Sequence, residues 1–240
     1  MITSTRPIPY LNPPTNPSVG IGRTAALVTS GNPPHANHFT LAIEALLAKV
    51  CDRVIIAIKP ESKQKANLAA PLIRLAMFRL LLEELFPSLA EQKKILVDFL
   101  PKTYEDQLNL IQRLGHPQDN CVQKITDSET FPPYIVGLPP SSPEVTQTRH
   151  YVFERTGYEE TLTPVVEARL KGLGVNYQLH SSSQERPISS TMIRGLLSIL
   201  NNNPMDFEAF NALKEIYQGA PKALAFLVKY AEEFTKLVKR

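Results

Sequence analysis

The chain has 240 residues, 43% hydrophobic and 20% charged, with a formal net charge of +3. A chain this long buries roughly two-thirds to three-quarters of its unfolded surface, so neither disulfide nor structural metal is needed to hold a core. Its scattered basic residues argue against a nucleic-acid footprint, and no apolar run approaches the ~20 residues of a membrane span. Cys51 and Cys121 form no C-x-x-C pair, and the first residues lack a charged-then-apolar leader pattern, so a cytoplasmic protein with reduced thiols is expected.

Residues 1–22 carry Pro7, Pro9, Pro13, Pro14 and Pro17, a composition that suits an extended arm and neither a helix nor a central strand. Residues 25–28 then read as a short buried strand, ended by the turn-forming run Thr29-Ser30-Gly31-Asn32-Pro33-Pro34. Phe39, Leu41, Ala42, Ala45, Leu46 and Val50 recur at helical spacing, and residues 54–58 form a second wholly apolar strand. Strands without polar alternation need helices on both faces, which implies a parallel sheet. The alternation continues with helices near 70–86 and 104–114, strands at 95–99 and 134–137, a helix over 162–173 and a last strand at 175–179. The fold class is therefore α/β, a Rossmann-like parallel sheet over 23–200 with a helical C-terminal segment, 201–240, packed on it. In that segment Phe226, Leu227, Tyr230, Phe234, Leu237 and Val238 share one face.

Two segments carry chemistry. The first strand delivers the chain to His35-Ala36-Asn37-His38, at the strand end where an open parallel sheet binds its ligands. One helical turn separates the histidines, so both rings fall on one face, where they can donate to phosphate oxygens beside a helix N-terminus. A metal pair and plain loop capping are the other uses of such a pair, and no carboxylate or thiol at familiar spacing supports metal. The second segment, Pro187-Ile188-Ser189-Ser190-Thr191-Met192-Ile193-Arg194, follows the last strand. Ser189 or Ser190 can cap a helix whose first turn presents N–H groups and hydroxyls, with Arg194 one turn in. By itself it reads equally as an ordinary capped helix with a solvated arginine.

Taken together, the segments resemble the paired signatures of the nucleotidylyltransferase superfamily, H-x-G-H or T-x-G-H after strand one and I-S-S-T-x-x-R near the end. The second form is most similar to that of nicotinamide and nicotinate mononucleotide adenylyltransferases. Upstream, Thr29-Ser30-Gly31-Asn32-Pro33-Pro34-His35 resembles G-S-F-N-P-P-H, with the first Gly and the Phe replaced, and Asn37 replaces the Gly between the histidines. Arg74-Leu75-Ala76-Met77 resembles an R-x-x-M helix that follows a lysine-bearing loop, for which Lys59, Lys63 and Lys65 are candidates. Thr103-Tyr104-Glu105-Asp106-Gln107-Leu108 resembles Y-T-x-D-T-L, with Asp106 and Leu108 in register. Where the family has a strand ending G-x-D, Gly137-Leu138-Pro139 lacks the carboxylate.

The resemblance implies transfer of AMP from ATP to nicotinamide or nicotinate mononucleotide with release of pyrophosphate, as in NAD biosynthesis. Other superfamily chemistry with ATP or CTP and a different phosphorylated acceptor, or nucleotide binding without turnover, are the alternatives. It assigns His35 and His38 to the triphosphate, with Ser30, Gly31 and Asn32 shaping the loop beneath. Ser189, Ser190, Thr191 and Arg194 would hold the β- and γ-phosphates, with Lys65 as a further nucleotide contact. Mg²⁺ is expected to arrive on the nucleotide. Arg74 and Tyr104 are the expected acceptor contacts, Tyr104 because the chain has no tryptophan to stack on a pyridine ring. An ordinary packed tyrosine is its other reading. Self-association into a homo-oligomer is left open.

Overall fold

Val54, Ile55, Ile56 and Ile58 are completely buried, which a strand achieves only when helices cover both faces of its sheet. The computed structural model describes residues 23–61, 68–127, 129–154, 162–182 and 188–236. The expected arm at 1–22, the loop lysines Lys63 and Lys65, and Leu237 and Val238 lie outside the described residues.

Strands β1 (Thr24–Thr29), β2 (Arg53–Ile58), β3 (Ile95–Phe99), β4 (Gln123–Asp127), β5 (Arg149–Phe153) and β6 (Asn176–His180) form one parallel sheet in the order β3-β2-β1-β4-β5-β6. The connections run one way from β1 to β3 and the other way from β4 to β6. Their carboxyl ends therefore part between β1 and β4, the switch point where such sheets open a crevice. Helices α1 (Asn37–Leu47), α2 (Pro71–Leu85), α3 (Pro87–Glu91), α4 (Tyr104–Leu114), α5 (Phe131–Val136), α6 (Pro143–Thr146) and α7 (Pro164–Gly172) lie between the strands. After β6 the chain is helical through α8 (Ser190–Asn202), α9 (Phe207–Ile216), α10 (Pro221–Lys229) and α11 (Ala231–Thr235).

Successive side chains on a strand point to opposite faces, and the cores divide accordingly. Val54, Ile56 and Ile58 join Ala25, Leu27, Tyr151 and Phe153 on one face, while Ile55 packs with Leu110 and Ile111 of α4 on the other. Val152, between Tyr151 and Phe153, meets Phe131, Ile135 and Leu170 from α5 and α7. The C-terminal helices are part of the first core: Leu213, Tyr217, Leu227 and Phe234 are buried with the β1 and β2 side chains. The single amphipathic face read over 226–238 is divided in the structure, since the helix breaks at Tyr230 between α10 and α11.

Two strands differ from the sequence reading. Residues 134–137, expected as a strand, belong to α5 and its C-cap, a short helix opened by Pro132 and Pro133. The strand beside β1 is instead β4, Gln123-Lys124-Ile125-Thr126-Asp127, and β5 beside it begins Arg149-His150. Neither shows the apolar run of β2, because Gln123, Lys124 and His150 are buried polar residues. The strand next to β1 does end in a carboxylate, Asp127, whose side chain accepts from the Thr130 N–H at 2.8 Å.

The amino edge of the sheet is closed by specific contacts. Asp119 accepts from the N–H groups of Arg23 (2.7 Å) and Thr24 (3.1 Å), and Arg53 donates to the Leu114 and Gly115 carbonyls at the end of α4. Gly115 sits so close to β1 that a Cβ there would lie 2.2 Å from Thr24 Oγ1 and 2.5 Å from the Ile111 carbonyl oxygen. Gly172, near the end of α7, has open space around the same position. Gly115→Ala should therefore cost about 2 kcal/mol or more, whereas Gly172→Ala should be neutral or stabilising by up to ~1 kcal/mol. Urea denaturation of the two variants checks this, and equal effects would contradict the packing at Gly115.

Candidate active site

The loop between β1 and α1 contains Pro33 and Pro34, which have no N–H to offer a regular hydrogen-bond pattern. Its carbonyls are satisfied from elsewhere in the chain. Arg74 Nη1 donates to Ser30 O (2.7 Å), Arg194 Nη1 to Asn32 O (2.5 Å), Ser190 Oγ to Pro33 O (2.8 Å) and the Tyr217 hydroxyl to Pro34 O (2.6 Å). The Asn32 side chain accepts from the Ala69 N–H at 2.9 Å. Gly31 has a positive φ of 48°, and a Cβ there would stand 2.2 Å from the Phe78 ring. Only glycine meets both demands.

This loop ends in the two histidines. Their ring centroids are 4.0 Å apart, and His38 packs edge-on against Phe78. His38 Nδ1 lies 3.2 Å from both the His35 N–H and the His35 carbonyl oxygen, so it accepts from the first in one neutral tautomer and donates to the second in the other. His35 is 6% exposed, and its Nδ1 is buried without a hydrogen-bond partner among the described residues. Burial first, and then the neighbouring His38, push its pKa down to about 2, so it is a neutral ring at any working pH. Asn37, which replaces the motif glycine, donates from Nδ2 to Ile188 O at 3.1 Å and so ties the start of α1 to the approach of α8.

Ser189 is the N-cap of α8, accepting from the Met192 N–H at 3.2 Å, while Thr191 Oγ1 accepts from Arg194 Nη2 at 2.9 Å. Ser190 and Arg194 thus bridge α8 to the β1 loop, and both sequence motifs converge on one edge. That edge combines a helix N-terminus, hydroxyls, a guanidinium and two imidazoles, a donor-rich surface suited to a polyanion.

Beside it, at the carboxyl ends of β1 to β4, lies a cavity of about 390 Å³. Its wall includes Val28 of β1, Lys59 after β2, Lys124 of β4, Tyr134 of α5 and Glu144 of α6. The ammonium groups of Lys59 and Lys124 each stand 5.9 Å from the Tyr134 ring centroid. Burial pulls the Lys124 pKa down to about 8, opposed by Glu144, whose carboxylate is 4.0 Å away, and reinforced by Lys59. His150, also on the wall, is 1% exposed, and burial lowers its pKa to about 4. Its Nε2 lies 2.9 Å from the Glu144 carbonyl, an acceptor, so Nε2 carries the proton.

Two expected acceptor contacts are placed otherwise. Arg74 is completely buried and donates to the carbonyls of Ser30, Lys59, Pro60 and Ala69 at 2.7–2.8 Å. It clamps the loops after β1 and β2 together and cannot touch a substrate. Tyr104 donates its hydroxyl to Gln147 O (3.1 Å) and accepts from the Val122 N–H (3.3 Å). Both groups precede their strands, so the ring is committed to the amino ends of β4 and β5, away from the histidines. Phe131 and Tyr134 of α5 both line the cavity, and of the two Tyr134 is the exposed ring; the strand-like run at 134–137 gives no sign of it in the sequence. Lys124 was missed for a related reason: a lysine in a run this polar does not look like a buried strand residue. Lys65 lies outside the described residues, and among these no three His, Cys, Asp or Glu side chains gather to hold a metal ion.

No protein-family model matches the chain, and no curated protein matches it by sequence. Solved structures do match. A Plasmodium falciparum nicotinic acid mononucleotide adenylyltransferase complexed with NaAD superposes with a TM-score of 0.64 at 16% identity, over 90% of this chain and 98% of that one. The same enzyme complexed with APC gives 0.60 at 16% identity, over 89% and 98%. The chain therefore shares the overall fold of these solved structures.

The buried histidines make stability pH-dependent in a definite direction. Unfolded, His150 titrates near 6.5; folded, it resists protonation to about 4. Its contribution is intact above pH 6.5 and is lost progressively as the pH falls toward 4. By pH 4.5 the loss should reach roughly 2–3 kcal/mol from this residue, and His150→Gln, which keeps a donor for Glu144 O, should flatten the slope by that amount. Urea denaturation at pH 7 and 4.5 measures it, and an unchanged slope in the variant would count against a buried neutral imidazole.

Proposed function

We propose that the protein transfers AMP from ATP to nicotinamide or nicotinate mononucleotide, releasing pyrophosphate. One observation carries the reading: the His35/His38 loop and the start of α8, 150 residues apart in the chain, are hydrogen-bonded into a single polyanion-binding edge beside a cavity at the switch point. The resemblance of both motifs to those of the superfamily, and a fold shared with nicotinic acid mononucleotide adenylyltransferases, support it.

In this reading the triphosphate lies along the edge and the mononucleotide fills the cavity. An oxygen of the acceptor 5′-phosphate attacks the α-phosphorus of ATP, the bond to the β-phosphate oxygen breaks, and pyrophosphate leaves. No general base is required, because a phosphate monoester is already largely ionised at neutral pH. The protein's work is positioning and charge stabilisation. His38, in the tautomer that accepts the His35 N–H at Nδ1 and carries its proton on Nε2, donates to the phosphate oxygens on which charge builds. Arg194 spends two N–H groups on Asn32 and Thr191, and the rest of its fork serves the β- and γ-phosphates. Ser189 and Thr191 hydroxyls and the α8 N-terminus add donors. Mg²⁺ comes with ATP as part of the substrate, as hard phosphate oxygens and water suit it better than any side-chain cage here. Tyr134 takes the role first given to Tyr104, offering the acceptor ring an aromatic face worth about 0.5–1.5 kcal/mol beyond burial.

Incubation with MgATP and each mononucleotide should release pyrophosphate and yield the dinucleotide, and failure of both with folded protein would overturn the reading. His38→Ala should lower kcat by about 10²-fold or more while calorimetry finds ATP binding little changed, because its contact strengthens in the transition state. Arg194→Ala should weaken both, since it meets phosphates already charged in the ground state. Near wild-type turnover in His38→Ala would remove that residue from the chemistry.

A further inference from the structure

Of the charged side chains on the cavity wall, Lys124 is the one that the fold treats most unusually. It sits in β4, next to the central strand, and its side chain is only 8% exposed. Among the described residues it makes no hydrogen bond, and the carboxylate nearest to it, on Glu144, is at the 4.0 Å limit of an ion pair. An ammonium group that is mostly buried, yet has no hydrogen bond to the described residues, carries a desolvation cost that a bound anion would offset. The surroundings favour an anion rather than a neutral dipole. Lys59 and Lys124 face the same Tyr134 ring, and the cavity's three lysines, Lys59, Lys102 and Lys124, outnumber its two carboxylates, Glu61 and Glu144.

Resting on the function proposed above, we infer that Lys124 selects the acceptor by its ring substituent: its ammonium group pairs with a carboxylate carried on a ring that lies against Tyr134, and a carboxamide at that position is disfavoured. Position decides between the two anionic parts of such an acceptor. The 5′-phosphate must reach the triphosphate on the histidine edge, whereas Lys124 lies on the β4 and α5 side of the cavity, with Tyr134 and Glu144. A carboxamide would give Lys124 one neutral acceptor and no compensating charge, while a carboxylate supplies both, and hydrogen bonds to charged groups are worth about twice neutral ones.

The test compares nicotinate and nicotinamide mononucleotide, which share ribose and phosphate and differ in the ring substituent. The wild type should prefer the acid. Lys124→Met should lower kcat/KM for the acid by about 10- to 100-fold and leave the amide within a few-fold, with the ATP KM unchanged. The double variant Lys124→Met/Glu144→Gln, which leaves no unpaired carboxylate behind, should show the same loss of preference and guards against misfolding of the single variant. The wild-type enzyme supplies an arm that needs no mutation. Lys124 is cationic below its pKa of about 8 and neutral above it, so the acid-to-amide ratio of kcat/KM should fall as the pH rises through 8. The other titratable groups on the cavity wall, among the described residues, are Lys59 and Glu61 after β2, Lys102 after β3, Tyr134 on α5, Glu144 on α6 and His150 on β5. Tyr134 is pushed up to about 12 and His150 down to about 4, so neither changes charge in that window. Equal losses for both mononucleotides in Lys124→Met would place the lysine on the phosphate and overturn the proposal, as would a pH-independent ratio. Absence of dinucleotide from either substrate in the wild type would instead be failure of the underlying function.

Discussion

The site depends on how a loop of two prolines has its carbonyls satisfied. Pro33 and Pro34 remove the N–H groups that would let residues 30–34 bond among themselves, yet Gly31 to His35 are buried. Buried carbonyls without donors are costly. The carbonyls of Ser30, Asn32, Pro33 and Pro34 are met by side chains from α2, α8 and the end of α9, two arginines, a serine and a tyrosine. Arg74 shows the scale of the commitment: a guanidinium held wholly inside the protein, with four carbonyl partners and no carboxylate among the described residues. Its desolvation would be prohibitive without them, and the geometry it imposes on the β1 and β2 loops is correspondingly stiff. The histidines are thus presented on a scaffold that the chain's own side chains hold in place.

The same clamp relates the two halves of the site. Arg74 binds the main chain at Ser30, which leads to the histidine edge, and at Lys59, whose side chain faces Tyr134 in the cavity. One buried side chain therefore ties the histidine edge to the cavity wall.

Much of this was legible in the sequence, and the exceptions share a cause. Strands β1, β2 and β3 were readable because their residues are apolar and buried on both faces, and the two motifs because each stands at the end of a strand where chain geometry exposes it. Strand β4 was not readable. Gln123, Lys124 and Asp127 break any apolar or alternating pattern, while Tyr134-Ile135-Val136, of high strand propensity, is held helical by Pro132 and Pro133 and by burial of Ile135 against α7. Polar residues in a central strand are tolerated where a cavity or a partner receives them: Gln123 accepts from the Tyr151 hydroxyl, and Lys124 faces the cavity. Local pattern and tertiary need conflict there because the strand builds the site. Arg74 and Tyr104 failed differently. A side chain at the start of a helix can turn inward, and only its partners on other segments reveal that it does.

The hydroxyl of Tyr217 on the Pro34 carbonyl spans 183 residues of chain, and the Ser190 bond to Pro33 spans 157. Closing such distances demands loop entropy that is repaid only once the intervening sheet has formed. During synthesis the histidine loop emerges ahead of its last two carbonyl partners, which follow only with α8 and the end of α9. A nascent chain therefore carries the loop for more than 150 residues of synthesis before these two carbonyls are met.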